Sequence, residues 1–285
     1  MITHGASAGL AATILALVTP GDRVVIPEPT YSLYADHVAP AGGEPVRVPG
    51  FDLDRIKQEL PRARLVIVCN SNTPTGAALG EEERTALAQL VNTSDTHLLL
   101  DEAYSDIVFD GPFHSGLRLP TDRAVCCGTF SKTFAMTGWH IGHVVAPATV
   151  ADQINLVHRS LNGAVNTFVQ DAALAALPSR RALAADAVVA YRERRDHVVE
   201  RLSGLPGGSM DMPRGALYAL PRVRSGLSSE ELTARLAASG VLVRAGSEYG
   251  PSGEGHLRLS YATSLELLDE GLNRLCAVLN QGGTP

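Results

Sequence analysis

The pattern that most narrows the fold of this chain is a series of strand-length apolar runs separated by longer stretches of helical period. The runs fall at 23–26, 44–48, 65–69, 97–101, 124–127 and 142–146, and helical stretches at about 7–17, 31–41, 53–60 and 81–92 lie between and before them. Several runs are continuously apolar, as expected of strands covered by helices on both faces. This predicts an α/β fold with a largely parallel sheet. After Ala146 the pattern turns to long helices through about residue 203, then a Gly/Pro-rich break at 204–213. Short strands at 216–220, 241–244 and 257–261 follow, alternating with helices from Ser228 and Ser264. The shift predicts a large domain over 1–180 with a linking helix to about 205, a smaller C-terminal α+β domain over 206–285, and a frayed tail at 281–285.

Chemistry concentrates at the ends of these strands. The segment Thr129-Phe130-Ser131-Lys132-Thr133 ends the run at 124–127, so Lys132 sits on a tight turn at a strand's carboxyl edge, where open α/β sheets bind ligands. An amine held there can form a Schiff base once it is partly desolvated or near another cation. Residue type alone leaves an ordinary solvated lysine equally open. Asp101-Glu102-Ala103-Tyr104 puts a carboxylate at a second strand end, which is costly to bury unless a cation such as a protonated pyridine nitrogen meets it. At Thr3-His4-Gly5-Ala6-Ser7, small residues enter a helix whose free N–H groups and dipole favour a phosphate, with simple serine capping as the alternative. Arg258 lies inside the apolar run 257–261 and calls for an anion, or else faces solvent.

Together these segments resemble the class I/II aminotransferases, fold-type I enzymes that use pyridoxal 5′-phosphate. The lysine motif of that family runs Ser-Phe-Ser-Lys-Thr-Phe-x-Met-Thr-Gly-Trp-Arg-Ile-Gly, against Thr129 to Gly142 here, with Thr129 in place of serine and His140 in place of arginine. The resemblance implies a seven-stranded large-domain sheet, a Schiff base at Lys132, and a phosphate held by Thr129, Ser131, His140 and the amides of Ala6 and Ser7. Histidine lacks the bidentate fork of arginine, so the phosphate grip is expected to differ. By the same resemblance Tyr31, in Pro27-Glu28-Pro29-Thr30-Tyr31, stacks on the pyridine ring. Asp101 pairs with the ring nitrogen, Tyr104 donates to the phenolic oxygen, Glu102 serves structure, and Arg258 binds the substrate α-carboxylate. In Asn70-Ser71-Asn72-Thr73-Pro74-Thr75-Gly76 the family has Asn-Pro-Thr-Gly, so either the Thr73 hydroxyl or a shifted Asn72 reaches the phenolic oxygen. Segments 215–218 and 245–250 fit the family's cavity entrance.

The implied activity is transfer of an amino group between an L-amino acid and a 2-oxo acid, in a homodimer. Alternatives are another pyridoxal-phosphate reaction on an amino acid (elimination, decarboxylation or cyclisation) or a non-catalytic protein of the same fold. The resemblance begins inside the family pattern, without its N-terminal arm: either the sequence is a shortened one or the protein is a reduced member, and if the arm is absent in life dimerisation is expected to weaken. A net charge of −6 without a basic cluster argues against nucleic acid or an anionic membrane as partner, and the short apolar stretch at 9–18 is neither a membrane span nor a signal peptide. A cytoplasmic location is expected. Cys69, Cys126, Cys127 and Cys276 show no metal-ligand spacing and read as small packing residues. Apart from His140, the histidines show no ligand spacing and receive no role.

Overall fold

The computed structural model describes residues 1–204 and 208–281; part of the Gly/Pro-rich break and the tail expected to fray lie outside the described residues. Seven strands, β1 (Ile2–Thr3), β2 (Arg23–Glu28), β3 (Glu44–Pro49), β4 (Ala63–Cys69), β5 (His97–Asp101), β6 (Ala124–Thr129) and β7 (Gly142–Val145), form one sheet in the order β1-β7-β6-β5-β4-β2-β3. The five from β3 to β6 run parallel, whereas β7 is antiparallel to β6 and β1 to β7. Sequence reading missed β1, because two residues are too few to carry a period.

The continuous apolar runs have the cause expected of them. On one face of the sheet Leu65, Ile67, Leu99, Val125 and Cys127 pack with Leu10, Ile14 and Leu17 of α1 (Gly5–Leu17) and Tyr34 and Val38 of α2 (Leu33–Val38). On the other, Val66, Val68, Leu98, Leu100 and Cys126 pack with Ile56 of α3 (Leu53–Glu59) and Leu87 and Val91 of α4 (Glu81–Val91). Adjacent Cys126 and Cys127 thus fill opposite cores as free thiols, as strand alternation requires. Glu81, Glu82 and Glu83 occupy the first turn of α4, where negative charge meets the positive end of the helix dipole.

Three helices follow, α5 (Ala148–Asn162), α6 (Thr167–Ala176) and α7 (Arg180–Ser203). The C-terminal part adds β8 (Tyr218–Ala219), α8 (Ser229–Ala238), β9 (Arg244–Ala245), β10 (Leu257–Ser260) and α9 (Leu265–Gln281), its strands antiparallel in the order β8-β10-β9. A reciprocal cap starts α8: the Glu231 amide donates to Ser228 Oγ at 3.2 Å and the Ser228 amide to Glu231 Oε2 at 2.9 Å. The first two strands here are shorter than the sequence runs. Ala216 takes a left-handed backbone (φ 59°), and the Val241 amide closes the end of α8 by donating to Leu236 O at 3.0 Å, so both leave the ladder.

The core of this part includes Leu232, Leu257, Leu268 and Leu272, but also Tyr104, Ile107 and Phe109 from the segment after β5. That segment is stitched to the C-terminal part by backbone bonds, Phe109 N to Arg214 O at 2.8 Å and Ala216 N to Ile107 O at 2.9 Å. No described helix is long and apolar enough to cross a membrane.

Candidate active site

The carboxyl ends of β4, β5 and β6 and the start of α1 enclose a cavity of about 340 Å³. The residues to which the resemblance gives a cofactor or substrate contact all line it except Asn72, whereas the entrance segment 245–250 does not. Asn72 turns away: its Nδ2 donates to Pro29 O at 2.9 Å and Thr75 Oγ1 at 2.8 Å, while Oδ1 accepts from Thr30 at 3.0 Å. Its amide is spent on shaping the turn, which corrects its candidacy as a cavity group. Thr73 is the residue that faces inward, and its buried Oγ1 has no hydrogen-bond partner.

Asp101 forms the floor. It is 4% exposed; Oδ2 accepts from Tyr34 Oη at 2.8 Å and Oδ1 from the Ala103 amide at 3.1 Å. Burial raises its carboxyl above the ordinary value, opposed by those two bonds and by the positive charge of Lys132. No lysine, arginine or histidine among the described residues forms an ion pair with it. Burial, then the Asp101 charge, pushes the Tyr34 phenol well up, so Tyr34 remains a donor. The Cys69 thiol beside it is pushed up to about 12 by burial and is not a thiolate near neutral pH. Glu102 points elsewhere, accepting from the Gly116 amide at 2.5 Å and Ser115 Oγ at 2.7 Å, a structural part.

Lys132 stands on the turn after β6 with Nζ 5.5 Å from the centroid of the Tyr104 ring. Both flanks of that turn are pinned. Thr129 Oγ1 accepts from the Ser131 amide at 3.2 Å, and Thr133 Oγ1 donates to Asp106 Oδ2 at 2.8 Å. Arg180 in turn clamps Asp106 with Nε at 3.0 Å and Nη2 at 2.8 Å. Nothing in the sequence pattern links residues 74 apart, and this clamp was not foreseen.

Opposite the lysine, Tyr104 donates to Tyr218 Oη at 3.1 Å, and burial followed by the neighbouring Tyr218 pushes the Tyr104 phenol well up. Arg258 lays its guanidinium over the rings of Tyr218 (4.4 Å) and Tyr249 (5.4 Å). Its buried Nε has no partner and no acidic residue among those described pairs with it, an arrangement open to a carboxylate. Tyr31 meets Tyr34 edge-on at 5.5 Å and borders the floor.

The remaining end is the start of α1. Its first turn holds no acidic side chain and no side-chain cap, so the serine-capping alternative does not apply: the cap position is His4, and Ser7 lies inside the helix. The helix start meets the start of β7 so closely that a Cβ on Gly142 would fall 2.7 Å from Gly5 C and 2.9 Å from Ala6 N. Only glycine permits that approach. His140, on left-handed backbone (φ 48°), is exposed at this rim.

Comparison with known proteins agrees with this geometry. The chain matches the family described as aminotransferase class I and II over residues 1–275. It is 35% identical to an aspartate aminotransferase of Pyrococcus horikoshii over 96% of this chain and 74% of that protein. It is 36% identical to an arginine–pyruvate transaminase of Pseudomonas aeruginosa, over 97% of this chain and 74% of that one. Among solved structures, the aspartate aminotransferase of Thermus thermophilus with maleate superposes with a TM-score of 0.92 at 33% identity, covering 98% of this chain and 75% of that chain. A family match over nearly the whole chain, joined to a lysine, an aspartate and an arginine around one cavity, places the protein among the class I and II aminotransferases.

Proposed function

We propose that the cavity is where this aminotransferase holds pyridoxal 5′-phosphate and that Lys132, Asp101 and Tyr104 carry its chemistry. Three observations support the fit. Asp101 is a buried carboxylate without a cationic side chain in contact, Thr73 Oγ1 is buried and unpartnered beside it, and the start of α1 is free of acidic residues at the opposite end. The first carries the reading, since an ionised carboxylate at that depth needs a positive partner. When bound, the cofactor supplies a carbonyl carbon for attachment to an amine and a heterocycle that withdraws electrons.

The residues then divide the work. Lys132 Nζ would be the attachment point and, when free, would take up and return the proton of the substrate α-carbon. Asp101 holds a proton on the ring nitrogen, with Tyr34 and the Ala103 amide fixing its orientation. Tyr104 and Thr73 offer hydroxyls to the phenolic oxygen, and Tyr31 borders the ring. Ser131, Thr129 and His140, with the Ala6 and Ser7 amides, surround the phosphate. Arg258 orients the α-carboxylate of an L-amino acid or a 2-oxo acid in bidentate fashion.

The working unit is read as a homodimer, supported by the exposed apolar side chains Leu156, Leu161, Phe168 and Trp139 on α5, on α6 and on the turn that follows Lys132. Four free thiols support the cytoplasm as its compartment. The large domain is taken as 1–180 with α7 as the link to about 205, and the small domain as 206–285. Borohydride reduction in the presence of pyridoxal 5′-phosphate, followed by peptide mass mapping, should label Lys132. An amino donor plus a different 2-oxo acid should yield both exchanged products. A label elsewhere, or oxo-acid release without a new amino acid, overturns the reading.

A further inference from the structure

His4 received no role from its sequence spacing, yet its ring borders the cavity at the same end as His140. It is propped from behind by His158 of α5, whose ring stacks on it at 5.3 Å with a 29° tilt. The His4 backbone N–H donates to His158 Nε2 at 3.2 Å, so that nitrogen carries no proton. His158 is therefore a neutral acceptor, 2% exposed, and its Nε2 lies 3.4 Å from Nδ1 of His4. A hydrogen on Nδ1 of His4 can share that acceptor, which leaves Nε2 of His4 as the nitrogen open to the cavity.

We infer that His4, oriented by His158, is a protonatable part of the phosphate grip, adding a cation beside the amides of Ala6 and Ser7 when its Nε2 is protonated and withdrawing it when it is not. The inference rests on the cofactor reading above and deepens it, because it assigns a residue outside the motif and makes the grip depend on pH. The surroundings favour His4 as the site of the proton. Burial, and then the charge of His4 beside it, pushes His158 down, in keeping with its role as a neutral acceptor. α1 brings no ionisable side chain. From the turn after β6, Lys132 and His140 share the cavity with His4; from β5 comes Asp101 and from β10 Arg258. His140 is a second imidazole at this end of the cavity, so the test compares a His4 variant with the parent.

The test measures dissociation constants of pyridoxal 5′-phosphate and of pyridoxal, which lacks the phosphate, from pH 5.5 to 8.5. The readout is quenching of the single tryptophan, Trp139, which neighbours His140. Comparing His4→Gln with the parent as a ratio cancels the ionisation of the phosphate itself. That ratio is expected to be roughly tenfold for pyridoxal 5′-phosphate near pH 6 and to fall toward one above about pH 8, while the ratio for pyridoxal stays near one throughout. His158→Gln, which keeps an acceptor, should retain the pH step, and His158→Leu should abolish it. A ratio that is flat with pH, an equal loss of pyridoxal affinity, or a pH step untouched in His158→Leu overturns the inference while the cavity assignment stands. A parent protein that binds neither compound overturns the cavity assignment instead.

Discussion

The two ends of the cavity are built by opposite rules. At the floor, Asp101 is sealed beneath the sheet edge, held by a phenol and an amide, and its ionisation is governed by burial. At the rim, His140 is exposed on left-handed backbone and His4 leans on one neighbour. The floor is a product of the α/β core, because Tyr34 reaches Asp101 from α2, which packs on this face of the sheet. The rim depends on a few side chains at loop positions, which can change without disturbing any strand. On the proposed reading, reactivity would be set by the fold and anchoring by local composition.

Several experiments would break or sharpen this contrast. Lys132→Ala removes both attachment and proton transfer and should lower kcat by about 10⁴-fold or more, measured in a coupled 2-oxo acid assay. Asp101→Asn should lower kcat by roughly 10²- to 10³-fold while the protein still takes up cofactor, seen by absorbance. It should also stabilise the apoprotein. Because burial raises the folded carboxyl above its unfolded value, Asp101 weakens folding as pH climbs from the ordinary carboxylate range through that raised value. Thermal melts should show Asp101→Asn gaining about 2–4 °C per kcal/mol near neutrality and nothing at pH 4 and below. A variant that melts lower at every pH would mean that the floor is not under this strain.

Arg258→Lys loses the planar fork and should raise KM for both substrates by about 10- to 100-fold with a smaller change in kcat, measured by initial rates. At the rim, His140→Arg should tighten cofactor binding a few-fold, roughly the net worth of a charge-assisted hydrogen bond after left-handed backbone strain, read by fluorescence titration. An effect there as large as that of Asp101→Asn on kcat would erase the contrast between the two ends.

Much of this was legible in the sequence for a physical reason. Continuous apolar runs report strands buried on both faces, and polar residues at their ends report a ligand edge, so Lys132, Asp101 and Tyr104 were candidates before any coordinate, while Arg258 stood out as a charge inside an apolar run. What escaped shares one property: it depends on how loops turn. Asn72 and Thr73 are neighbours of similar chemistry, and only the path of the turn sends one inward. The Asp106–Arg180 clamp and the His4–His158 pair join residues 74 and 154 apart, and neither pair has a period that a sequence window could register. Nor did β1 announce itself, since its pairing with β7 is decided by packing at the sheet edge.

The stretch from Tyr104 to Phe109 belongs to the core of the C-terminal part as much as to the edge of the main sheet, and backbone bonds to Arg214 and Ala216 rivet it there. Because Tyr104 also donates to Tyr218, over whose ring the Arg258 guanidinium lies, a displacement of any one of these side chains is transmitted to the other two as through a linkage.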